Sequence, residues 1–306
     1  MRDVSTKNFT LRTATARAVL TAAPATLALL RAGQIPKGDP LPVAQVAAIQ
    51  AAKLTPQLIP YCHSVPLDHV QVDFTLGADR IEAVVQVKAI YRTGVEMEAL
   101  TAAAAAALTL YDMLKMLDET MRISAIELLA KTGGKSNYAP QLRQSFRAAV
   151  VVLSDSRSRP GGPPDRSGAI LRAGLEAHQA TVEFFSLIPD DPDQIRAAVK
   201  HAADQLGVEV LLLTGGTGLG PRDVTPEAVA DLLDRRLPGV EDQFRAHSRV
   251  RQPYAMLSRM VAGMRGRTIV VALPGSPGAC RDAIDALFPY LKHAFPMRDG
   301  QGHDSA

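Results

Sequence analysis

The sequence predicts two domains of unlike class, an α+β domain over residues 1–138 and an α/β domain with a three-layer, mostly parallel sheet over 146–295. Three observations carry this. The 306 residues suit two domains at the usual ~100 to 200 residues each. The runs Val70–Leu76 and Ile81–Ala89 alternate apolar and polar residues on either side of Gly77-Ala78-Asp79, the pattern of an antiparallel hairpin with one face buried. In the second half, AAVVVLS, TVEFFSLI, VEVLLLT and TIVVALP are continuous apolar runs separated by helical stretches, as expected of parallel strands joined by right-handed crossovers.

The other elements follow in order. Leu11–Leu20 alternates as a strand, with Arg12 and Arg17 on opposite faces. Pro24 opens a helix that Gly33 closes. Pro36 and Pro40 bracket a loop that presents Lys37, and a second helix from Pro42 to about Leu54 is expected to bury Val43, Val46, Ala47 and Ile49. Thr93–Lys115 reads as one long helix. Its Ala102–Ala107 stretch allows another backbone to come close, and is expected to be buried against another subunit. A strand from Met121 to Ala130 runs into Lys131-Thr132-Gly133-Gly134-Lys135. Asn137–Ser145 has no periodicity and is the linker; the segment after His293 is expected to fray.

Composition narrows the function. Apolar residues at 47% and charged residues at 21% describe a chain able to build real cores. There is no run of ~18 consecutive apolar residues and no signal-peptide core near Met1, so the chain is expected in the cytoplasm with no membrane partner. A net charge of +3 gives no argument for nucleic acid. Cys62 and Cys280 are too few for a disulfide framework or a four-cysteine metal site.

Asp112 and Lys115, three apart, share a helix face. Such a pair is ordinarily solvated. Arg12, Lys37, His63, Lys115, Lys131 and Lys135, all at element ends or loop tips, would together suit a polyphosphate, with Asp112 as the carboxylate beside a lysine. Lys37-Gly38-Asp39, Ile59-Pro60-Tyr61-Cys62-His63, Thr93-Gly94-Val95-Glu96-Met97-Glu98, Tyr111-Asp112-Met113-Leu114-Lys115 and Leu128–Lys135 resemble the cyclic pyranopterin monophosphate synthase family of molybdenum cofactor biosynthesis. The resemblance implies a ferredoxin-like fold and a lyase that converts 3',8-cyclo-7,8-dihydro-GTP to cyclic pyranopterin monophosphate with loss of pyrophosphate and no cofactor. It also implies a hexamer with sites between subunits. Asp112, Lys115 and Lys131 would then be catalytic, and Arg12, Lys37, His63, Glu96, Met97, Glu98 and Lys135 would bind substrate. Either Lys115 or Lys131, with its pKa lowered by neighbouring cations, could move the protons of ring opening.

In the second domain, Thr214-Gly215-Gly216-Thr217-Gly218 follows a buried strand and lets backbone N–H groups approach an anion. Thr225 with Pro226 suits a helix N-cap and first position. Asp165 could be a metal ligand or could cap the helix from Ser167. Thr214–Asp223, Ala255–Arg259, Leu273–Pro277 and Leu291–Ala294 resemble the molybdopterin adenylyltransferase family. This implies AMP transfer from ATP to molybdopterin, with Mg²⁺ held by Asp165 and Asp223 and with Ser154, Asp155, Gly215, Gly216, Thr217, Gly218, Ser258, Arg259, Gly275 and Ser276 in binding loops. It implies trimers, compatible with a shared three-fold axis. The alternative is a module that only binds a pterin or scaffolds partners.

Overall fold

The computed structural model describes residues 1–134, 137, 145–288 and 290–300. It divides into two compact units, Met1–Asn137 and Tyr138–Ala306.

The first unit runs β1 (Thr10–Thr21), α1 (Pro24–Arg31), α2 (Pro40–Leu58), β2 (His69–Leu76), β3 (Arg80–Tyr91), α3 (Glu96–Leu114) and β4 (Arg122–Thr132). Its sheet is antiparallel in the order β2-β3-β1-β4. One sheet face, carrying Ala14, Ala16, Ala18, Val72, Val85 and Val87, packs against alanines of α2 and α3. The α2 face is a correction. Val43 and Val46 are 48% and 64% exposed, Ala47 and Ile49 are half-buried, and Ala44, Ala48, Ala52 and Thr55 are buried instead. The reason is steric. Ala102, Ala103, Ala106 and Ala107 of α3 are buried in the same core as Ala48 and Ala52, and methyl side chains let helix axes approach where valines would hold them apart. Ala102, Ala103, Ala106 and Ala107 of α3 are therefore buried within their own unit, while Ala104 and Ala105 are half-buried. Although α3 is long and apolar enough to cross a membrane by length and composition, its alanine face belongs to this core. The helix α2 also runs longer than expected, from a cap on Asp39, whose Oδ1 accepts from the Leu41 N–H, through Pro56.

Asp118, 6% exposed, fastens the start of α1 to the turn before β4. Its carboxylate accepts from the Ala23 N–H (2.6 Å) and the Thr26 hydroxyl (3.2 Å), and from the Thr120 N–H (2.9 Å) and hydroxyl (2.6 Å). The Thr120 hydroxyl is the main influence holding this carboxyl below its ordinary range. Asp118→Ala should lower unfolding stability by about 2–3 kcal/mol, read by urea denaturation, because several donors lose their acceptor. The depressed folded-state pKa makes that contribution present above the ordinary carboxylate range and lost as pH falls through the folded value, so the two proteins should converge in acid.

The second unit runs β5 (Phe146–Leu153), α4 (Ser167–Ala177), β6 (Ala180–Ile188), α5 (Pro192–Lys200), β7 (Val210–Thr214), α6 (Thr225–Ala230), β8 (Arg235–Arg236), α7 (Pro238–Arg249), β9 (Val261–Arg265), β10 (Thr268–Leu273), α8 (Pro277–Leu287) and α9 (Ala294–Arg298). The mixed sheet has the order β6-β5-β7-β10-β9-β8; its first four strands are parallel, and β9 and β8 are antiparallel additions. One core contains buried residues of α4, α7 and α8, the other those of α5 and α6, so helices cover both faces. Residues 294–300 depart from the expected fraying, Phe295 being 2% exposed with its ring 5.4 Å from that of Phe146, while the rest of the segment lies outside the described residues. This large aromatic, with Ala294 beside it, anchors the stretch to the core.

Candidate active sites

In the first unit the charged candidate side chains form two groups, one at each end of α3. At the C-terminal end, the Lys37 ammonium donates to the Asp112 carbonyl (2.9 Å) and lies 3.3 Å from its carboxylate, while Lys115 pairs with the other carboxylate oxygen at 2.6 Å. Gly38, at φ +87°, makes the turn beside Lys37. Lys115 foremost, then Lys37, hold the Asp112 carboxyl below the ordinary range. The same pair raises the pKa of Lys115, contrary to the lowering expected from nearby cations, because its nearest charge is a carboxylate.

At the N-terminal end, Lys131 of β4 pairs with Glu96 at 3.2 Å. Arg12 donates to the Tyr91 carbonyl (3.1 Å) and the Arg92 carbonyl (3.2 Å), bracing the segment that leads into α3. The His63 Nε2 lies 2.8 Å from the Arg2 carbonyl oxygen, and since a carbonyl only accepts, this nitrogen bears a hydrogen. Glu98 is buried, with Oε1 accepting from the Cys62 thiol, and Met97 is 38% exposed. After Lys131 the chain turns at Gly133, φ +89°, where a Cβ would strike the Leu11 carbonyl. Lys135 lies outside the described residues. Asp112 and Glu96 are about 24 Å apart along the helix at 1.5 Å per residue. One chain thus unites Lys37, Asp112 and Lys115, and unites Arg12 and Lys131 with the start of α3, but does not bring the two groups together.

In the second unit, a cleft of about 950 Å³ is lined by Gly215, Gly216, Thr217, Gly218, Asp223, Ser258, Gly275 and Ser276, among others. It lies at the carboxyl ends of β7 and β10, where a parallel sheet presents ligand sites. Gly215 and Gly216 have φ of +121° and +58°; a Cβ on the first would strike the Leu153 carbonyl, and on the second the Thr225 hydroxyl and the Asp190 carboxylate. Arg259 braces the glycine turn through the Gly218 carbonyl (2.8 Å), the Asp223 carbonyl and Glu227. The Asp223 Oδ2 accepts from the Gly220 N–H at 2.8 Å. The Ser276 hydroxyl caps α8, and Ser258 accepts from the Met260 N–H. Ser154, near-buried, lies 3.2 Å from the Ser156 hydroxyl.

Asp190 was not among the residues expected at this site. It follows β6 and exchanges backbone bonds with Asp155: the Asp155 N–H donates to Asp190 Oδ2 at 3.0 Å and the Asp190 N–H to Asp155 Oδ1 at 3.1 Å. Asp155 is clamped by Arg222 at 2.8–3.0 Å, which holds its carboxyl below the ordinary range, whereas burial foremost raises that of Asp190. The Asp190 Oδ1 and the Thr225 hydroxyl, both beside Gly216, are buried without a partner among the described residues. Thr225 does not serve as the N-cap: α6 begins at Thr225, after Val224, and its hydroxyl turns toward Gly216, whose carbonyl accepts from the Thr225 N–H. Asp165 lines a different cavity from Asp223, and its Oδ2 is also buried without a partner among the described residues. One oxygen accepts from the Gly168 N–H at 3.0 Å, as a cap would, and the residue lines a separate cavity of about 290 Å³ with Arg172, Glu176 and Phe185.

Comparison with known proteins joins these two sites into one biosynthetic context. Residues 1–134 match the MoaC family, and residues 149–293 match the family described as "Probable molybdopterin binding domain". The chain is 46% identical over 303 residues to a molybdenum cofactor biosynthesis bifunctional protein of Chlorobaculum tepidum, covering 99% of this chain and 96% of that one. It belongs to the bifunctional molybdenum cofactor biosynthesis proteins. A second relative of that description, from Synechococcus elongatus, is 41% identical over 318 residues, covering 99% and 98%. The first domain is 52% identical over 145 residues to a cyclic pyranopterin monophosphate synthase of Nostoc sp., covering 46% of this chain and 85% of that enzyme. Among solved structures, the molybdopterin biosynthesis enzyme MoaB of Thermus thermophilus is similar at 40% identity with a TM-score of 0.48, covering 51% of this chain and 97% of that one. The bifunctional chain is therefore a molybdenum cofactor biosynthesis enzyme with a synthase-family first domain.

Proposed function

We propose that the first domain converts 3',8-cyclo-7,8-dihydro-GTP to cyclic pyranopterin monophosphate and pyrophosphate, at a site to which two chains contribute opposite ends of α3. The separation of Asp112 with Lys115 from Lys131 with Arg12 along one helix carries this reading: a site that uses both needs a second copy. The order β2-β3-β1-β4 around a βαββαβ core supports the ferredoxin-like assignment. Lys37, Arg12 and His63 would hold the phosphates and the leaving pyrophosphate as the 3'-oxygen closes on the α-phosphorus. Lys115, whose ammonium form is favoured by Asp112, suits the proton donor, and Asp112 keeps that proton oriented. A closed hexamer provides such shared sites, and a trimeric second domain is compatible with its three-fold axis.

For the second domain the reading is transfer of AMP from ATP to molybdopterin, supported by two carboxylates beside a glycine turn. Among the described residues no group of three or more His, Cys, Asp or Glu could hold a metal alone. The unpartnered Asp190 oxygen and Thr225 hydroxyl, with Asp223, are nonetheless hard oxygen donors of the kind Mg²⁺ takes when substrate phosphates complete its shell. Mg²⁺ bound there would neutralise charge at the reacting phosphate. The glycine-turn N–H groups would orient the phosphates. Asp165 fits capping better than this role.

Purified full-length protein supplied with cyclised GTP, and separately with ATP and molybdopterin, tests both halves. Pyrophosphate should appear in each assay. Molybdopterin binding without ATP consumption would make the second domain a pterin-binding module.

A further inference from the structure

We infer that Cys62 is a positioning residue for the synthase site, its thiol tying the loop that carries His63 to the first turn of α3 through Glu98. The inference rests on the synthase reading given above. The two ends of this loop are fixed by backbone: the Cys62 N–H closes a turn onto the Ile59 carbonyl at 3.0 Å, and the Asp68 N–H donates to the Lys88 carbonyl at 3.0 Å. Between them, the Cys62 Sγ donates to Glu98 Oε1 at 3.5 Å.

The acceptor is rigidly placed. Glu98 is 1% exposed and shares the buried face of α3 with Ala99 and Ala102, whereas Glu96, two residues earlier, points to Lys131. The Glu98 Oε2 is buried and has no partner among the described residues, so the Cys62 bond is the hydrogen bond this carboxyl receives from another side chain. A bond that compensates a buried carboxyl is costly to lose. Burial foremost, then Glu98, pushes the Cys62 pKa up to about 11, so at neutral pH the sulfur keeps its hydrogen and serves as a donor. A nucleophilic or metal-binding role would need the thiolate.

His63 follows Cys62 directly, so loss of the bond leaves the imidazole held, among the described residues, only by its Nε2 contact with the Arg2 carbonyl and should weaken substrate binding more than turnover. In full-length protein, Cys62→Ala is expected to raise KM for cyclised GTP about five- to tenfold with kcat within about twofold. Cys62→Ser, which keeps a donor, should return KM to within about twofold of the unmutated value. Combining Cys62→Ala with Glu98→Ala should raise KM no further than Glu98→Ala does alone. A substrate-free arm follows iodoacetamide labelling of Cys62 by peptide mass, where Glu98→Ala should accelerate labelling about tenfold or more.

An unchanged KM in Cys62→Ala, a serine variant no better than alanine, fully additive effects, or a labelling rate indifferent to Glu98 would each overturn the inference. Absence of turnover in the unmutated protein would overturn the synthase reading and the functional half of this one, while labelling still decides whether the tether exists.

Discussion

Asp112→Ala and Lys131→Ala proteins, each inactive alone, are expected to recover about one quarter of the unmutated synthase activity when dissociated, mixed in equal amounts and reassembled. Each substitution removes a proton-handling group or its partner, so a loss of about 10²- to 10⁴-fold is expected for either. Neither should unfold the chain, since the Asp112 and Lys131 side chains are 59% and 56% exposed and stand at the ends of α3 and β4. Recovery follows from geometry. If each site takes its Asp112 from one chain and its Lys131 from another, random mixing leaves both residues intact in one site of four. If both came from one chain, every site in the mixture would carry a lesion and no activity would return. Turnover measured against mixing ratio, with light scattering to verify reassembly, separates the two arrangements.

How far the sequence disclosed this molecule depended on whether the deciding contact was local. Strict alternation in β2 and β3 gave the buried face directly, because period two leaves one assignment for Val72, Val85 and Val87. The face of α2 was not legible. Hydrophobicity favours Val43 and Val46 as core residues, but the neighbouring surface is the alanine face of α3, and close approach selects Ala44, Ala48 and Ala52. Likewise β9 and β8 are short, and Gly263 is needed because a Cβ there would strike the Arg235 carbonyl of β8, a contact made only in the fold. At the second site the glycine turn was visible as a motif. Asp190 had a signal of equal standing, since it also follows the carboxyl end of a parallel strand. Its neighbour Asp191 caps α5, accepting from the Gln194 N–H at 2.9 Å. What separates the two aspartates is the Asp190 Oδ1, buried without a partner among the described residues, whereas the Asp191 Oδ1 has one.

The second large effect expected concerns the half-buried Asp190 carboxylate. Asp190→Asn and Asp223→Asn should each lower Mg²⁺-dependent AMP transfer by about 10³-fold, because a neutral amide holds a divalent cation poorly and the charge on the reacting phosphates is left uncompensated. Both substitutions preserve the local fold: an amide oxygen can still accept from the Asp155 N–H at position 190 and from the Gly220 N–H at position 223. Asp165→Asn is the internal comparison. Its oxygen can still accept from Gly168 and it lines a different cavity, so transfer should change by no more than about threefold. Molybdopterin binding, followed by fluorescence or calorimetry without ATP, should survive in all three, which distinguishes a lost metal from a collapsed cleft. Burial also gives the pH dependence a sign. Because the Asp190 carboxyl is held above its ordinary range, protons compete with Mg²⁺ at a higher pH than at an ordinary carboxylate. The apparent Mg²⁺ affinity should therefore fall as pH is lowered toward that raised pKa, and excess Mg²⁺ should shift the acid limb of the activity profile downward. A tenfold loss in Asp165→Asn alongside full activity in Asp190→Asn would transfer the metal role to the other cavity.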